Sequence, residues 1–239
     1  MERLASLPAV AQPGEAWVYG YSIDILGCVV ERVSGEPLEV YVERHITRPL
    51  GMKDTYFFLP KNKRDRLTAV YMSDSTGRVR RAPDGAKGQG HYVDGPRMNY
   101  AGGAGLVSTA FDYAKFLECI RNGGAIGNVR ILSPAAVTLM TTNMVGTLHS
   151  ADGSLGFGLG FETLEKAGAS GFASVGAFGW GGAYASVYKV DPKERLVIVF
   201  MLQMLPDGTD IRAKFPKFIT DVDNVLAKMS TFHPFQNHV

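Results

Sequence analysis

The first half of the chain repeats hydrophobic residues at the spacing of an α-helix. After Ser22, apolar residues recur at helical period until Gly35, which is placed to end a helix in the left-handed conformation. The pattern predicts one helix with a single apolar stripe, formed by Ile23, Leu26, Val30 and Val33.

Three more helices are predicted before residue 150. Pro37 suits the first turn of the second helix. Thr109 followed by Asp112 resembles a capping box, with Asp in place of the usual Glu or Gln, and predicts the start of the third. Ser133 and Pro134 are typical of an N-cap and a first turn, so they predict a short fourth helix.

Residues 60–98 are polar and interrupted by glycine and proline. Such a segment is long for a loop in a compact domain, so we expect an excursion that borders a site or has irregular structure of its own. The densest basic stretches, "PKNKRDR" and "GRVRR", lie here, and we interpret them as solvated loop.

After residue 150 the hydrophobic pattern changes to that of strands, in "GFGLGF", "AYASVYKV" and "RLVIVFMLQ". The turn "DPKE" between the last two predicts a hairpin. Residues 195–203 are apolar on both faces, which predicts a central strand, and a final helix is predicted over residues 218–229. Helices followed by antiparallel strands indicate an α+β fold, with a mainly helical region over 1–150 and the antiparallel sheet over 151–239.

The bulk properties exclude several classes of function. A chain of 239 residues that is 46% hydrophobic can bury a sizeable core, and its net charge of +2 favours neither nucleic acid nor an anionic membrane as partner. Cys28 and Cys119 fall among apolar residues, so we expect buried free thiols. The histidines stand singly, so we expect no metal site, and without an apolar run of spanning length we expect a soluble, cytoplasmic protein.

Familiar catalytic motifs are absent or misplaced. The glycine clusters lack the G-x-G-x-x-G spacing of a dinucleotide site, and no G-x-S-x-G elbow occurs. One Ser-x-x-Lys pair does occur, at Ser186 and Lys189. Residues three apart on a strand point to opposite faces, so we interpret this pair as structural.

Several long blocks of the chain resemble the serine hydrolases related to class C β-lactamases, including the family VIII esterases. The resemblance runs from Leu4 to about Met229. In that family a Tyr motif follows a Trp two residues on, which here falls on Tyr19. The blocks are "LPAVAQPGEAWVYGYSIDILGCVVERVSGEPLEVYVERHITRPLGMKDTYF", "YAGGAGLVSTAFDYAKFLECIRNGG", "RILSPAAVTLM", "GFGLGF" and "FGWGGAYASVYKVDPKERLVIVFMLQ".

The resemblance implies a β-lactamase/penicillin-binding-protein-like fold and a Ser-Lys-Tyr mechanism without a cofactor. A lysine ammonium lowers the pKa of a neighbouring tyrosine, which can then take a proton from a serine, and this role falls on Tyr19. The motif that is Lys-Thr-Gly in lactamases and Trp-Gly-Gly in esterases falls on Trp180, Gly181 and Gly182. The next backbone N–H, of Ala183, is the implied oxyanion donor.

Two positions favour an esterase over a lactamase. Trp180 offers apolar surface and no charge, which favours an uncharged acyl group over a carboxylate. Tyr21 stands where lactamases carry an amide and is implied to be a wall of the substrate site. The implied substrate is a small ester or amide molecule. A β-lactamase- or D-aminopeptidase-like activity and a non-catalytic remnant or binding protein remain as alternatives.

The family's Ser-x-x-Lys motif belongs well upstream of Tyr19, where this sequence has no counterpart. We therefore expect an N-terminally incomplete catalytic domain that contributes the base and half of an oxyanion hole but is inactive alone. A sheet without its N-terminal strands would leave an edge and an apolar face, so we also expect a homodimer or poor solubility.

Overall fold

A computed structural model describes residues 6–74, 76–97, 100–171, 173–205 and 221–222. Its α-helices are α1 (Ser22–Ser34), α2 (Leu38–Val42), α3 (Ala110–Arg121) and α4 (Pro134–Met140). A π-helical turn, Glu43–Thr47, continues α2, and a 3-10 helix spans Lys61–Arg66. The strands are β1 (Tyr71–Ser73), β2 (Val79–Arg81), β3 (Ala125–Ile126), β4 (Val129–Arg130), β5 (Leu155–Phe157), β6 (Glu162–Leu164), β7 (Phe178–Gly181), β8 (Val187–Asp191) and β9 (Leu196–Phe200).

Helix α1 forms where the pattern predicts it and ends at Gly35, whose φ of 72° is left-handed. Much of its apolar stripe is exposed, with Leu26 at 53% and Val33 at 83%. The helix instead packs through its glycine side, where Gly27 meets the backbone of Gly102. A side chain at Gly102 would collide with the carbonyl oxygen of Ile23, so this close approach requires glycine.

A five-stranded antiparallel sheet, in the order β5-β6-β7-β8-β9, forms the second half of the chain. The predicted hairpin is confirmed, because β8 and β9 pair from Val187↔Phe200 to Asp191↔Leu196. The Asp191 carboxylate accepts hydrogen bonds from the Lys193 and Glu194 N–H groups and so closes the turn. Within the described residues β9 is the outermost strand of the sheet, so its central position stays a prediction.

Only the first two residues of the segment "GFGLGF" belong to a strand. Strand β5 ends at Phe157, and residues 158–161 form the connection to β6, in which Gly160 has a φ of +100°. The final helix predicted over 218–229 falls outside the described residues, apart from residues 221–222, which are helical.

The main core lies between α3 and the sheet. Leu117 and Ile120 of α3 pack with Phe178 of β7 and Val190 of β8, all at most 3% exposed. A second cluster joins the other side of α3 to the segment after α2 through Cys119, Leu50 and Met52. Helix α3 is therefore the element on which both halves of the chain are built.

The structure agrees with two interpretations from sequence. Cys28 and Cys119 are free thiols, although only Cys119 is fully buried. The Ser186 hydroxyl donates to the Leu202 carbonyl at 2.9 Å and accepts from the Leu202 N–H at 3.1 Å. The Lys189 ammonium contacts the Ser170 hydroxyl instead, so Ser186 and Lys189 do not form a catalytic pair.

The long segment over 60–98 begins with an ion-pair cluster. Lys63 of the 3-10 helix lies 2.7 Å from the Asp54 carboxylate, and Arg66 binds both oxygens of the same carboxylate. The segment then continues through the two-stranded ribbon β1-β2. Part of the basic stretch is thus paired rather than only solvated.

No helix among the described residues has the length and apolarity needed to span a bilayer.

The Asp54 cluster predicts a loss of stability in acid. Hydrogen bonds from Arg66 and then Lys63 lower the pKa of Asp54 from 3.8 to about 2. A lowered pKa in the folded state stabilises the protein above the unfolded value, and that contribution disappears as the pH falls from about 4 toward about 2. We expect Asp54→Asn to lose less of its urea midpoint than the wild type between about pH 6 and about pH 3.

Asp84→Asn is the control, since this carboxylate pairs with Arg81 at the surface and is 83% exposed. It should follow the wild-type acid profile. An Asp54→Asn profile parallel to that of the wild type would contradict the assignment.

Candidate active site

A cleft of about 510 Å³ lies over β7 and the turn that follows it. Five of the six site residues predicted from sequence line this cleft together, whereas Tyr21 is not among its lining residues. The five are Tyr19, Trp180, Gly181, Gly182 and Ala183. Folding thus brings the Tyr motif and the Trp-Gly-Gly motif, which are about 160 positions apart, to one surface.

The turn between β7 and β8 places Ala183 at the mouth of the cleft. The Gly182 N–H donates to the Ser186 carbonyl at 2.6 Å, and the Ala185 N–H donates to the Gly182 carbonyl at 3.1 Å. Ala185 adopts a left-handed φ of 66°, which tightens the turn. Ala183 is the first central residue of this turn, at the end of a strand whose position is fixed by the core.

The glycines of β7 serve two purposes. A side chain at Gly179 would collide with the Tyr188 carbonyl oxygen of the neighbouring strand, so glycine is needed there for strand pairing. At Gly182 a Cβ would find its closest neighbour, the Ser186 carbonyl oxygen, at 3.7 Å, an ordinary contact. Among the described residues, packing therefore does not require glycine at 182 as it does at 179.

Tyr19 is more open than the family resemblance implies. Its side chain is 69% exposed, and its ring lies 6.1 Å from that of Trp17 and 5.8 Å from that of Trp180. Tyr21 is also 69% exposed. Its implied role as a wall of the site stays a prediction.

Another tyrosine of the cleft lining is unsuited to proton transfer. Burial, followed by the proximity of Tyr113, raises the pKa of Tyr188 far above that of an ordinary phenol. Tyr188 is therefore held as a neutral phenol. Of these two lining tyrosines, Tyr19 is the one whose oxygen a substrate can reach.

An aromatic cluster that the sequence did not predict surrounds the Tyr motif. The imidazole of His149 lies 4.5 Å from the Trp17 ring, 5.3 Å from that of Phe157 and 6.3 Å from that of Trp180, between ring centroids. Its Nε2 is 2.8 Å from a carboxylate oxygen of Glu162. No local sequence motif links His149 to Glu162, because the two residues are 13 positions apart and each stands alone in the sequence. Only the fold could show that they pair.

The charges of the cleft lining come from Glu162 and Lys189, which lie on β6 and β8. Within the described ranges, no three His, Cys, Asp or Glu side chains come together in a way that would hold a metal ion. The lining also holds the Tyr19 phenol, the Trp180 indole and the glycine end of β7.

Comparisons with known proteins agree with this geometry. The chain is 34% identical over 216 residues to Protein Rv1367c of Mycobacterium tuberculosis, covering 85% of this chain and 53% of that protein. It is 30% identical over 222 residues to Esterase EstB of Burkholderia gladioli, covering 87% and 55%. The solved structure of EstCE1, a hydrolase with promiscuous acyltransferase activity, superposes with a TM-score of 0.77 at 28% identity, covering 91% and 59%.

The α+β fold is that of the β-lactamases and penicillin-binding proteins, whose members related to this chain are serine hydrolases. The profile of the beta-lactamase family matches residues 1–216, and the chain belongs to that family. It spans about half the length of the curated relatives that it matches.

Proposed function

We propose that this chain contributes the proton-transferring tyrosine and an oxyanion donor to a serine acyl hydrolase that cleaves small esters. The observation that carries the proposal is the cleft itself. Tyr19, the open glycine end of β7 and Ala183 line one cavity, although they are distant in sequence. EstB and EstCE1, an esterase and a hydrolase by name, support the same class of reaction.

The character of the cleft favours an uncharged ester. Trp180 presents an indole beside Tyr19 at the position where lactamases carry a cationic lysine. Trp17 and Phe157 extend this apolar surface, with ring centroids 6.2 Å and 5.0 Å from that of Trp180. An apolar wall gains by burying an alkyl or aryl acyl group, whereas a carboxylate there would lose its hydration without a partner.

We further propose that the nucleophile comes from a Ser-x-x-Lys segment that is not among these 239 residues. The one Ser-x-x-Lys pair of the chain is unsuitable, because the Ser186 hydroxyl is bound to the Leu202 backbone. A nucleophilic serine must lie within about 2.6–3.2 Å of its base, and Ser186 is directed elsewhere.

The proposed reaction has two halves. The serine oxygen bonds to the ester carbonyl carbon while the Tyr19 phenolate takes the serine proton, and the Ala183 N–H donates to the oxyanion that forms. The C–O bond to the alcohol then breaks, and Tyr19 returns the proton to the leaving alcohol. In the second half, the oxygen of a water bonds to the acyl carbon while Tyr19 takes one water proton; the bond between the acyl carbon and the serine oxygen then breaks, Tyr19 returns the proton to the serine, and the acid leaves.

Labelling with a serine-directed fluorophosphonate tests the proposal. We expect intact-mass analysis of the 239-residue chain to show no adduct and no turnover of short-chain nitrophenyl esters. A longer protein that carries a Ser-x-x-Lys segment before Leu4 should gain one adduct, on the serine of that segment. Changing this serine to alanine in the longer protein is the control.

Two outcomes would overturn the proposal. An adduct on the 239-residue chain that disappears in Ser186→Ala would mean that the nucleophile is present here. A longer protein that folds but neither labels nor hydrolyses esters would favour a non-catalytic remnant of the same fold.

A further inference from the structure

The segment that carries Tyr19 has few attachments to the rest of the protein. The hydrogen bonds that the structure shows for residues 11–20 are local, with Gln12 and Glu15 bonded to each other. The remaining described contacts of the segment are those of its rings, Trp17 and Tyr19, with the aromatic cluster. The position of a base that is 69% exposed therefore depends on what fixes Trp17.

His149 is the ring nearest to Trp17. The two rings meet edge to face, with 4.5 Å between centroids and an angle of 63°. His149 also contacts Phe157, at the end of β5, and Trp180 in β7. One imidazole thus joins the segment of the Tyr motif to the strand of the Trp-Gly-Gly motif.

Glu162 fixes this imidazole on the sheet. Its carboxylate oxygen, 2.8 Å from His149 Nε2, accepts a hydrogen bond, so Nε2 carries a proton. Glu162 lies on β6, whose backbone pairs with Phe157 of β5 and Gly179 of β7. A hydrogen bond to a charged acceptor on a paired strand holds the ring more firmly than packing alone would.

The second imidazole nitrogen of His149, Nδ1, bears on why a histidine occupies this position. His149 Nδ1 is buried and has no hydrogen-bond partner in the described part of the chain. Leaving a buried polar atom unpaired costs free energy, so an apolar ring would be the more stable choice if the position only filled space. The benefit of histidine here must come through Nε2 and Glu162.

We propose that His149 and Glu162 are positioning residues that hold Trp17, and through it Tyr19, against Trp180. This inference rests on the proposed function for its catalytic consequence. Neither side chain is given a step in the proposed reaction. Their contribution is the placement of the base relative to the oxyanion donor, an effect that falls on kcat because misplacement by about 1 Å can cost about 100-fold.

Substitutions at both residues separate anchoring from packing. His149→Phe keeps a ring of similar size against Trp17 but removes the donor to Glu162. Glu162→Leu keeps the imidazole but removes its acceptor, whereas Glu162→Gln keeps an amide oxygen that can accept from Nε2. If anchoring is the role, Glu162→Gln stays closer to the wild type than His149→Phe and Glu162→Leu do. If packing is the role, His149→Phe also stays close to the wild type.

Tryptophan fluorescence measures directly, in the 239-residue chain, whether the aromatic cluster stays in place. The sequence contains two tryptophans, and both belong to the cluster. We expect His149→Phe and Glu162→Leu to shift the emission to longer wavelength and to increase quenching by acrylamide. Glu162→Gln should stay close to the wild type. The double variant His149→Phe/Glu162→Leu should be no worse than either single variant, because both remove one hydrogen bond.

Kinetics of the longer protein that carries the Ser-x-x-Lys segment form the second arm. His149→Phe and Glu162→Leu should lower kcat for a nitrophenyl ester by about 10- to 100-fold with KM nearly unchanged, and Glu162→Gln should retain most of kcat. Wild-type emission in His149→Phe, a change confined to KM, or equal losses in Glu162→Gln and Glu162→Leu would each overturn the proposal. A longer wild-type protein without turnover would contradict the proposed function. The emission measurements would still test whether His149 and Glu162 hold Trp17.

Discussion

Tyr19→Phe in the longer protein that carries the Ser-x-x-Lys segment is expected to lower kcat by about 10²–10⁴-fold and to change KM little. This is the usual span for the loss of a general base, and the substitution keeps the ring that contacts Trp17 and Trp180. Steady-state kinetics on a short-chain nitrophenyl ester measure the effect. Unchanged ring packing can be verified in the same samples by tryptophan emission.

Tyr21→Phe is the matched control, two positions away and equally exposed at 69%. Because Tyr21 is not among the residues that line the cleft, its substitution should leave most of kcat and alter at most KM or substrate preference. The reverse result would shift the Tyr motif by two residues and give Tyr21 the role of base. If neither substitution mattered, the proposed enzyme would lose its proton acceptor.

Asp112→Ala is expected to destabilise the 239-residue chain by about 3–5 kcal/mol, the range for breaking a buried charge pair. Asp112 is 4% exposed. Its carboxylate accepts from the Asp54 N–H at 2.6 Å, the Thr55 hydroxyl at 3.3 Å and the Lys115 ammonium at 3.1 Å. Truncation would leave the Asp54 N–H without this acceptor and the Lys115 ammonium with the Gly51 carbonyl but no counter-charge. Urea unfolding followed by circular dichroism measures the loss.

Asp94→Ala removes the same charge from a surface ion pair with Arg64, in which both side chains are more than half exposed. It should leave the urea midpoint almost unchanged, because water solvates both ions. Equal effects of the two substitutions would mean that the buried network around Asp112 does not stabilise the fold.

The start of α3 shows how far local sequence rules reach. Thr109 caps the helix as predicted, with its hydroxyl accepting from the Asp112 N–H at 3.1 Å. A capping box would turn the Asp112 carboxylate back to the Thr109 N–H. The structure shows it bonded instead to Asp54, 58 positions away. The cap depends on three neighbouring residues, whereas the partner of the carboxylate depends on which chain segment packs beside the helix.

Helix α1 shows the same limit of local sequence rules. Its extent and its left-handed end at Gly35 follow from local preferences of the backbone, which the sequence states directly. Which side of the helix is buried does not follow, because periodicity identifies a stripe but not its partner. The segment around Gly102 approaches the glycine side, and much of the apolar stripe is left exposed.

By itself the sequence determined the helices, the β8-β9 hairpin and the positions of the two motifs, since each depends on residues close together along the chain. Only the tertiary structure decided that β9 lies outermost among the described strands, that Ser186 is bound to the backbone, and that His149 meets Glu162 beside Tyr19. These facts depend on contacts between segments distant in sequence. Such contacts are selected by the packing of the whole core, and a local pattern carries no information about them.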